Sequence, residues 1–174
     1  VFMEFARRTD GSLFPLPAPS IDTGMGLERI VAILQGTLSN YDTDLFQPLL
    51  DRIGVVTGVT YSFSSPNERP GDRDRNTSAR VIADHMRAMT FLIADGVLPS
   101  NEWRGYVLRK IMRRAMRHGK KLGATSPFLG NFVDTVVDQM GPAYPELSAN
   151  RASIIQVIQQ EEERFDTVLA DGLP

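Results

Sequence analysis

Four residues in the stretch SIDTGMGLER, positions 20–29, have the types and spacing to hold a phosphorylated ligand: Asp22, Gly24, Gly26 and Arg29. Glycine has no Cβ, so a pair of them lets a ligand come close to the backbone. The sequence beyond turns helical, and a helix start presents free amide groups suited to phosphate. Arg29, one turn into that helix, can pair with a phosphate or lay its flat guanidinium on a purine ring. Asp22, before the turn, is placed to hold a cation, either an ammonium group or a magnesium ion. Together these parts describe a nucleotide site and not a catalytic base. The Gly-Lys-Ser/Thr ending of a P-loop is absent, and arginine stands where G-x-G-x-x-G has its third glycine. A tight strand-to-helix turn with a surface arginine is the plainer alternative.

A second constellation starts at Arg104. It comprises Arg104, Arg109, Lys110, Arg113, Arg114, Arg117, Lys120 and Lys121, with no acid among them. The formal charge of −2 hides this, because the other 11 of the 19 basic residues are set against all 21 acids. At 100° per residue, the cations from Arg109 onward fall within about 140° of one helix face. Val107, Leu108, Ile111, Met112, Ala115 and Leu122 hold the opposite arc, which makes the helix amphipathic. The stretch rises about 27 Å, enough to follow several phosphates along an RNA stem. Such a face suits a polyanion; solvation, or pairing with acids elsewhere in the chain, is the alternative. Just before it, in LPSNEWRGY, Asn101 carries an amide able to donate and accept at a base edge, or else caps the helix. Trp103 either stacks on a base or packs in the core or on the surface.

Other polar residues carry less chemistry. His85 follows Asp84, but no Ser or Cys nucleophile is evident beside them, and a buried, hydrogen-bonded histidine is the expectation. His118 lies on the basic face and would join phosphate contacts if protonated. Asp42 and Asp44 read as caps of the following helix, and Glu161, Glu162 and Glu163 as a solvated face. With no cysteine and the two histidines far apart, no metal site is legible. No apolar run is long enough to span a membrane and no signal peptide opens the chain, so a reducing, cytoplasmic setting is expected.

The elements that must position these residues follow from periodicity. VFMEFARR reads as a strand with two apolar faces, LFPLPAPS as a proline-punctuated connection, and SIDTGMG as a strand running into a helix that stops at Gly36. Thr43 is the expected N-cap of a helix through Val55. Residues 62–77, rich in Pro, Gly and charge, read as a mobile loop. Helices are expected over 78–94, 102–122 and 127–140, and a last one, capped by Ser148, runs to Gly172. The predicted fold is mainly α, a helical bundle preceded by a small β remnant that reads as the edge of a larger antiparallel sheet.

GMGLER resembles the third signature motif of the class II aminoacyl-tRNA synthetases. PLPAPSIDTGMGLERIVAILQG, SNYDTDLF, RVIADHMRA, FLIADGVLPSNEWRGYVLRKIMRRAMRHG and EEERF are similar to the alanyl branch of that family, over nearly the whole chain apart from 62–77. The resemblance implies that residues 1–38 close the catalytic domain and 39–174 form a helical tRNA-recognition domain. It implies that Gly24, Gly26 and Arg29 contact ATP, that Val1 and Asp22 line the alanine pocket, and that Asn101 reads the G·U pair of the tRNA(Ala) acceptor stem. Arg109, Lys110, Arg113, Arg114, Arg117 and Lys121 would then follow the stem's phosphates. Magnesium would act with ATP in the full-length enzyme, and a zinc site would belong to an editing domain outside this chain. A fragment of this kind is expected to be inactive alone in forming the adenylate. A stand-alone RNA-binding or adaptor module is the alternative.

Overall fold

The computed structural model describes residues 2–21, 24–62, 69–125 and 127–172; Val1 and Asp22 therefore lie outside the described residues. The chain opens with an antiparallel hairpin of β1 (Phe2–Arg7) and β2 (Leu13–Ile21). Its turn is closed by Asp10, whose carboxylate accepts from the Ser12 amide at 2.9 Å and the Ser12 hydroxyl at 2.6 Å. The proline-rich stretch read as a connection is thus a strand. Proline fixes an extended-compatible φ but donates nothing to a ladder, and the pairing registers that loss. The step from Met3 to Phe5 on β1 is matched by the longer step from Ser20 to Pro15 on β2, a bulge spanning Pro17 and Pro19. Met3, Phe5, Leu13 and Phe14 remain exposed.

Six helices follow among the described residues. α1 (Leu27–Gln35) ends, as expected, on Gly36 in the left-handed conformation, φ 67°, whose N–H meets the carbonyls of Ala32 and Ile33. A 3₁₀ turn at Asn40–Asp42 leads to α2 (Gln47–Thr57). Thr43 is not the cap of α2. It is buried ahead of that helix, donates its hydroxyl to the Asn40 carbonyl at 2.6 Å, and accepts the Gln47 amide on its own carbonyl at 3.0 Å. Nor do the two nearby acids cap it. Asp42 accepts from the Tyr61 hydroxyl at 2.9 Å, and the main chain of Asp44 bonds to Gln35 and Gln139.

α3 (Pro70–Ala94) starts well before the expected residue 78, so residues 70–77 are helical and not a loop. Pro70 suits a first helical turn, and Asp72 complements its dipole. Asn76, buried, locks the incoming chain by accepting from the Ser62 amide at 3.2 Å and donating to the Ser62 carbonyl at 3.1 Å. Residues 63–68 of the expected loop lie outside the described residues. α4 (Trp103–Lys121) matches its predicted range closely. The next predicted helix divides into a 3₁₀ turn, Leu129–Phe132, and α5 (Val133–Met140). α6 (Pro145–Gly172) begins at a proline, so Ser148 lies inside it and does not cap it.

One core unites α2 to α6. Leu49, Leu50 and Ile53 of α2, Ile82, Met86 and Met89 of α3, and Leu108, Met112 and Met116 of α4 meet Phe132, Val136, Ile154 and Ile158. Gly119 permits the closest approach: a Cβ there would stand 2.0 Å from the Phe128 ring. The 3₁₀ turn is anchored by Glu162, expected on a solvated face but only 1% exposed. Its carboxylate accepts the amides of Phe128 at 3.0 Å and Leu129 at 3.1 Å, donors that the turn itself leaves unused. Burial pushes this carboxyl above the usual range, and those amide bonds draw it partly back. No helix among the described residues is long and apolar enough to cross a membrane.

Candidate functional site

The two glycines of the opening corner are demanded by nothing among the described residues. Gly26 precedes α1 with an ordinary extended backbone, φ −70°, and Gly24 is not among the positive-φ glycines. A Cβ at Gly24 would meet no atom within 4 Å, and one at Gly26 only the Arg29 stem, at 3.7 Å. Arg29 is exposed, and no side chain among the described residues caps the start of α1. The corner therefore keeps open backbone, free helix-start amides and a guanidinium together, a set that suits a phosphate. One ion pair ties α1 to the helical core: Glu28 Oε1 lies 3.0 Å from an Arg87 nitrogen on α3, and that guanidinium stacks 4.7 Å from the Phe46 ring centre.

The second site is built on α4, and the structure divides its cations into two flanks. Lys110, Arg114 and Arg117 are exposed and have no acidic partner among the described residues. Lys110 rides 5.2 Å from the Tyr106 ring. Lys121 is exposed, with Asp74 at 3.7 Å, a separation at which an open pair contributes little. The other flank faces α6. Arg113 Nε donates to Glu161 Oε1 at 2.9 Å, Arg109 Nε lies 3.2 Å from the same oxygen, and Lys120 pairs with Asp166. Arg109 and Arg113 thus share one acid of α6, so this flank of the cationic face carries paired charges. Glu161, expected in water, is 1% exposed. Val107, assigned to the buried arc, is exposed instead: the buried stripe centres on Leu108, Met112, Ala115 and Gly119 and so leaves Val107 on the outer face.

His118 also leaves the phosphate face. Its Nδ1 sits 3.1 Å from Ser78 Oγ, whose own proton goes to the Asp74 carbonyl, so the imidazole donates there. Desolvation, then Arg114 and Lys121, hold its pKa below the ordinary value and keep it neutral. His85 is largely buried and hydrogen-bonded to Asp84 at 2.9 Å, as a structural histidine would be, and that bond lowers the Asp84 pKa.

Asn101 stands at the entrance of α4, exposed, and does not cap it. Glu102 occupies the N-cap position without a side-chain bond. Ser100 closes the turn instead, its hydroxyl donating to the Glu102 carbonyl at 2.8 Å while its amide donates to the Gly105 carbonyl at 3.1 Å. Gly105 is what admits this loop, because a Cβ there would fall 2.3 Å from Ser100 Oγ and 2.4 Å from the Leu98 carbonyl. Trp103, 88% exposed, takes a positive φ of 52°, unusual for any residue with a side chain. Around it opens a cleft of ≈ 480 Å³ lined by Leu98, Ser100, Asn101, Glu102 and Arg104. The sequence gives Ser100 and Gly105 no site role of their own and places Glu161 on a solvated face. A small residue opposite a polar loop was the available signal for Gly105, and Glu161 left none.

No group of acids and histidines among the described residues could hold a metal ion. The family described as class II tRNA synthetases (A) matches residues 1–174. The chain is 55% identical over 173 residues to an alanine–tRNA ligase of Anaeromyxobacter sp. (strain Fw109-5), covering 99% of this chain and 18% of that protein. Alanine–tRNA ligases of Stenotrophomonas maltophilia (strain K279a) and Thermotoga maritima are 54% and 51% identical, again across 99% of this chain. The chain spans less than a fifth of the length of these curated relatives, 18% and 19%.

Proposed function

This chain belongs to the class II tRNA synthetases, and from that premise we propose that it serves an alanine–tRNA ligase by holding the acceptor stem of tRNA(Ala) beside the site where alanine is activated. The observation that carries the reading is the exposed strip of Lys110, Arg114 and Arg117, without acidic partners among the described residues, on the helix that Asn101 opens. Phosphate contacts fix register and orientation without reading sequence. These three cations, with Lys121, take that part. Asn101 supplies a base-edge contact to the G·U pair, in a groove that A-form RNA leaves wide.

At the other end, Gly24, Gly26 and the α1 amides receive the ATP phosphates while Arg29 neutralises or stacks. When bound, ATP would supply the adenylyl group that activates the alanine carboxylate, with pyrophosphate leaving, and this chain's share is orientation and charge. Val1 and Asp22 complete the alanine side of this reading. Among the described residues no cluster of acids and histidines composes a metal site, and no step is assigned to magnesium. Residues 1–38 act as the closing part of the catalytic domain, and 39–174 as the tRNA-recognition domain, in a cytoplasmic enzyme.

The test is binding of the purified chain to an acceptor-stem hairpin by fluorescence anisotropy across a salt series. With three or four phosphate contacts, the log–log slope is about −3. Replacing Lys110, Arg114 and Arg117 by alanine should flatten that slope and weaken G·U and G·C hairpins alike. Salt-independent binding, or none, would overturn the reading.

A further inference from the structure

Arg109 does not behave as a spare surface cation. Its two terminal nitrogens donate to different groups, one to the Asn101 side-chain oxygen and the other to the Pro99 carbonyl at 3.3 Å. Its Nε lies 3.2 Å from Glu161 Oε1, an ion-pair contact without a hydrogen bond. Its side chain is only 18% exposed. Arg113, held to the same Glu161 oxygen at 2.9 Å, stacks 5.2 Å from the Phe165 ring and so has a fixed place as well. Glu161 reaches this pair from α6, far along the chain. Its second oxygen is buried with no hydrogen-bond partner among the described residues. A carboxylate placed for stability alone would be better satisfied, since burying charge costs more than a partial set of contacts returns. Its contacts serve the two guanidiniums.

We infer that Glu161 and Arg109 are positioning residues for base reading by Asn101: the α6 carboxylate fixes the Arg109 guanidinium, which in turn fixes the Asn101 amide. A guanidinium has donors and no acceptor, so the atom it faces must be the amide oxygen. The Asn101 NH₂ is thereby turned outward, and the side chain meets a base edge as a donor. Pro99, gripped by the same guanidinium, and Gly105, which admits the loop, hold the backbone on which that amide rides. The inference rests on the reading of Asn101 as a base contact given above.

Two variants test it in the purified chain. Arg109→Lys keeps the charge and the stem but loses the planar fork. Glu161→Gln keeps the shape and loses the anchor. Each should cut the preference for a G·U over a G·C hairpin by about tenfold, the order of one well-formed base contact. Each should also leave the salt slope unchanged, because Arg109 neutralises no phosphate. The Asn101 side-chain NH₂ resonances should move toward free-amide positions in both variants, with or without RNA. That readout stays usable should Glu161→Gln melt early, since Arg109→Lys keeps a charged partner for the carboxylate. Unchanged Asn101 resonances in Arg109→Lys, or a salt slope reduced by about one contact, would overturn the inference. A wild-type chain blind to the G·U pair would overturn the reading beneath it, while the resonances would still report whether Arg109 orients the amide.

Discussion

Two pairs of glycines in this molecule do opposite work. Gly105 and Gly119 sit in the helical part, where the chain's own atoms fill the space a side chain would need: Ser100 and Leu98 at one, the Phe128 ring at the other. Gly24 and Gly26 sit at the start of α1 and leave space that no distant part of the described residues enters. A glycine with a filled neighbourhood is a packing residue. One with an empty neighbourhood and ordinary dihedrals is not explained by packing among the described residues. The surroundings agree. α2 to α6 share a closed core, whereas the hairpin keeps Met3, Phe5, Leu13 and Phe14 in the open.

The comparison breaks most readily at Gly119. Alanine is the better helix former by about 1 kcal/mol, but overpacking against Phe128 costs about 1–3 kcal/mol, so Gly119→Ala should lower the thermal midpoint by a few degrees. A midpoint equal to wild type would show that the ring yields freely. At the other pair, Gly24→Ala and Gly26→Ala should leave stability within about 0.5 kcal/mol while weakening ATP binding, measured by calorimetry on the intact ligase that contains this chain. A stability loss matching that of Gly119→Ala would erase the distinction.

The helical part also carries a histidine whose titration bears on stability. His118 has its pKa depressed, so below about pH 6.5 the unfolded state binds the proton first and stability falls with acidification. Glu162, raised by burial, acts in the opposite sense, since the folded state keeps its proton as the pH rises past the unfolded value. The difference in melting profile between wild type and His118→Gln between pH 7.5 and pH 5.5 therefore isolates the histidine, and it should narrow on acidification. The smallest effect is expected at the surface. Arg151 and Asp134 form a paired bridge at 2.6 and 2.7 Å, yet both are well exposed. Arg151→Ala should leave the urea midpoint almost unchanged.

Helix periodicity made α4 legible almost to the residue, because its apolar stripe and its end signals agree. β2 was misread because prolines at alternate positions look like a loop, although the same spacing suits an extended strand with a bulge. The start of α3 was hidden for a related reason. Its first turns are polar and charged, and what holds them, the Asn76 grip on Ser62, involves no periodicity. Three consecutive glutamates at 161–163 look alike in sequence, yet only Glu163 is exposed. The partners that bury Glu161 and Glu162 include Leu129, 33 residues away in the chain, and Arg113, 48 residues away, with Arg109 farther still. Local pattern cannot reveal such partners. The cationic face was legible as composition, but its division into a paired flank and an open one depends on where α6 lies.

The doorway to α4 sets unequal rules for change over evolutionary time. Trp103 bends the wrong way for a bulky residue and touches little, so Gly or Asn could replace it and relax the bend. Gly105, its near neighbour, has no such latitude, since even a methyl group would strike Ser100 and Leu98. Drift among descendants of this chain should therefore be generous at the first position and nearly silent at the second.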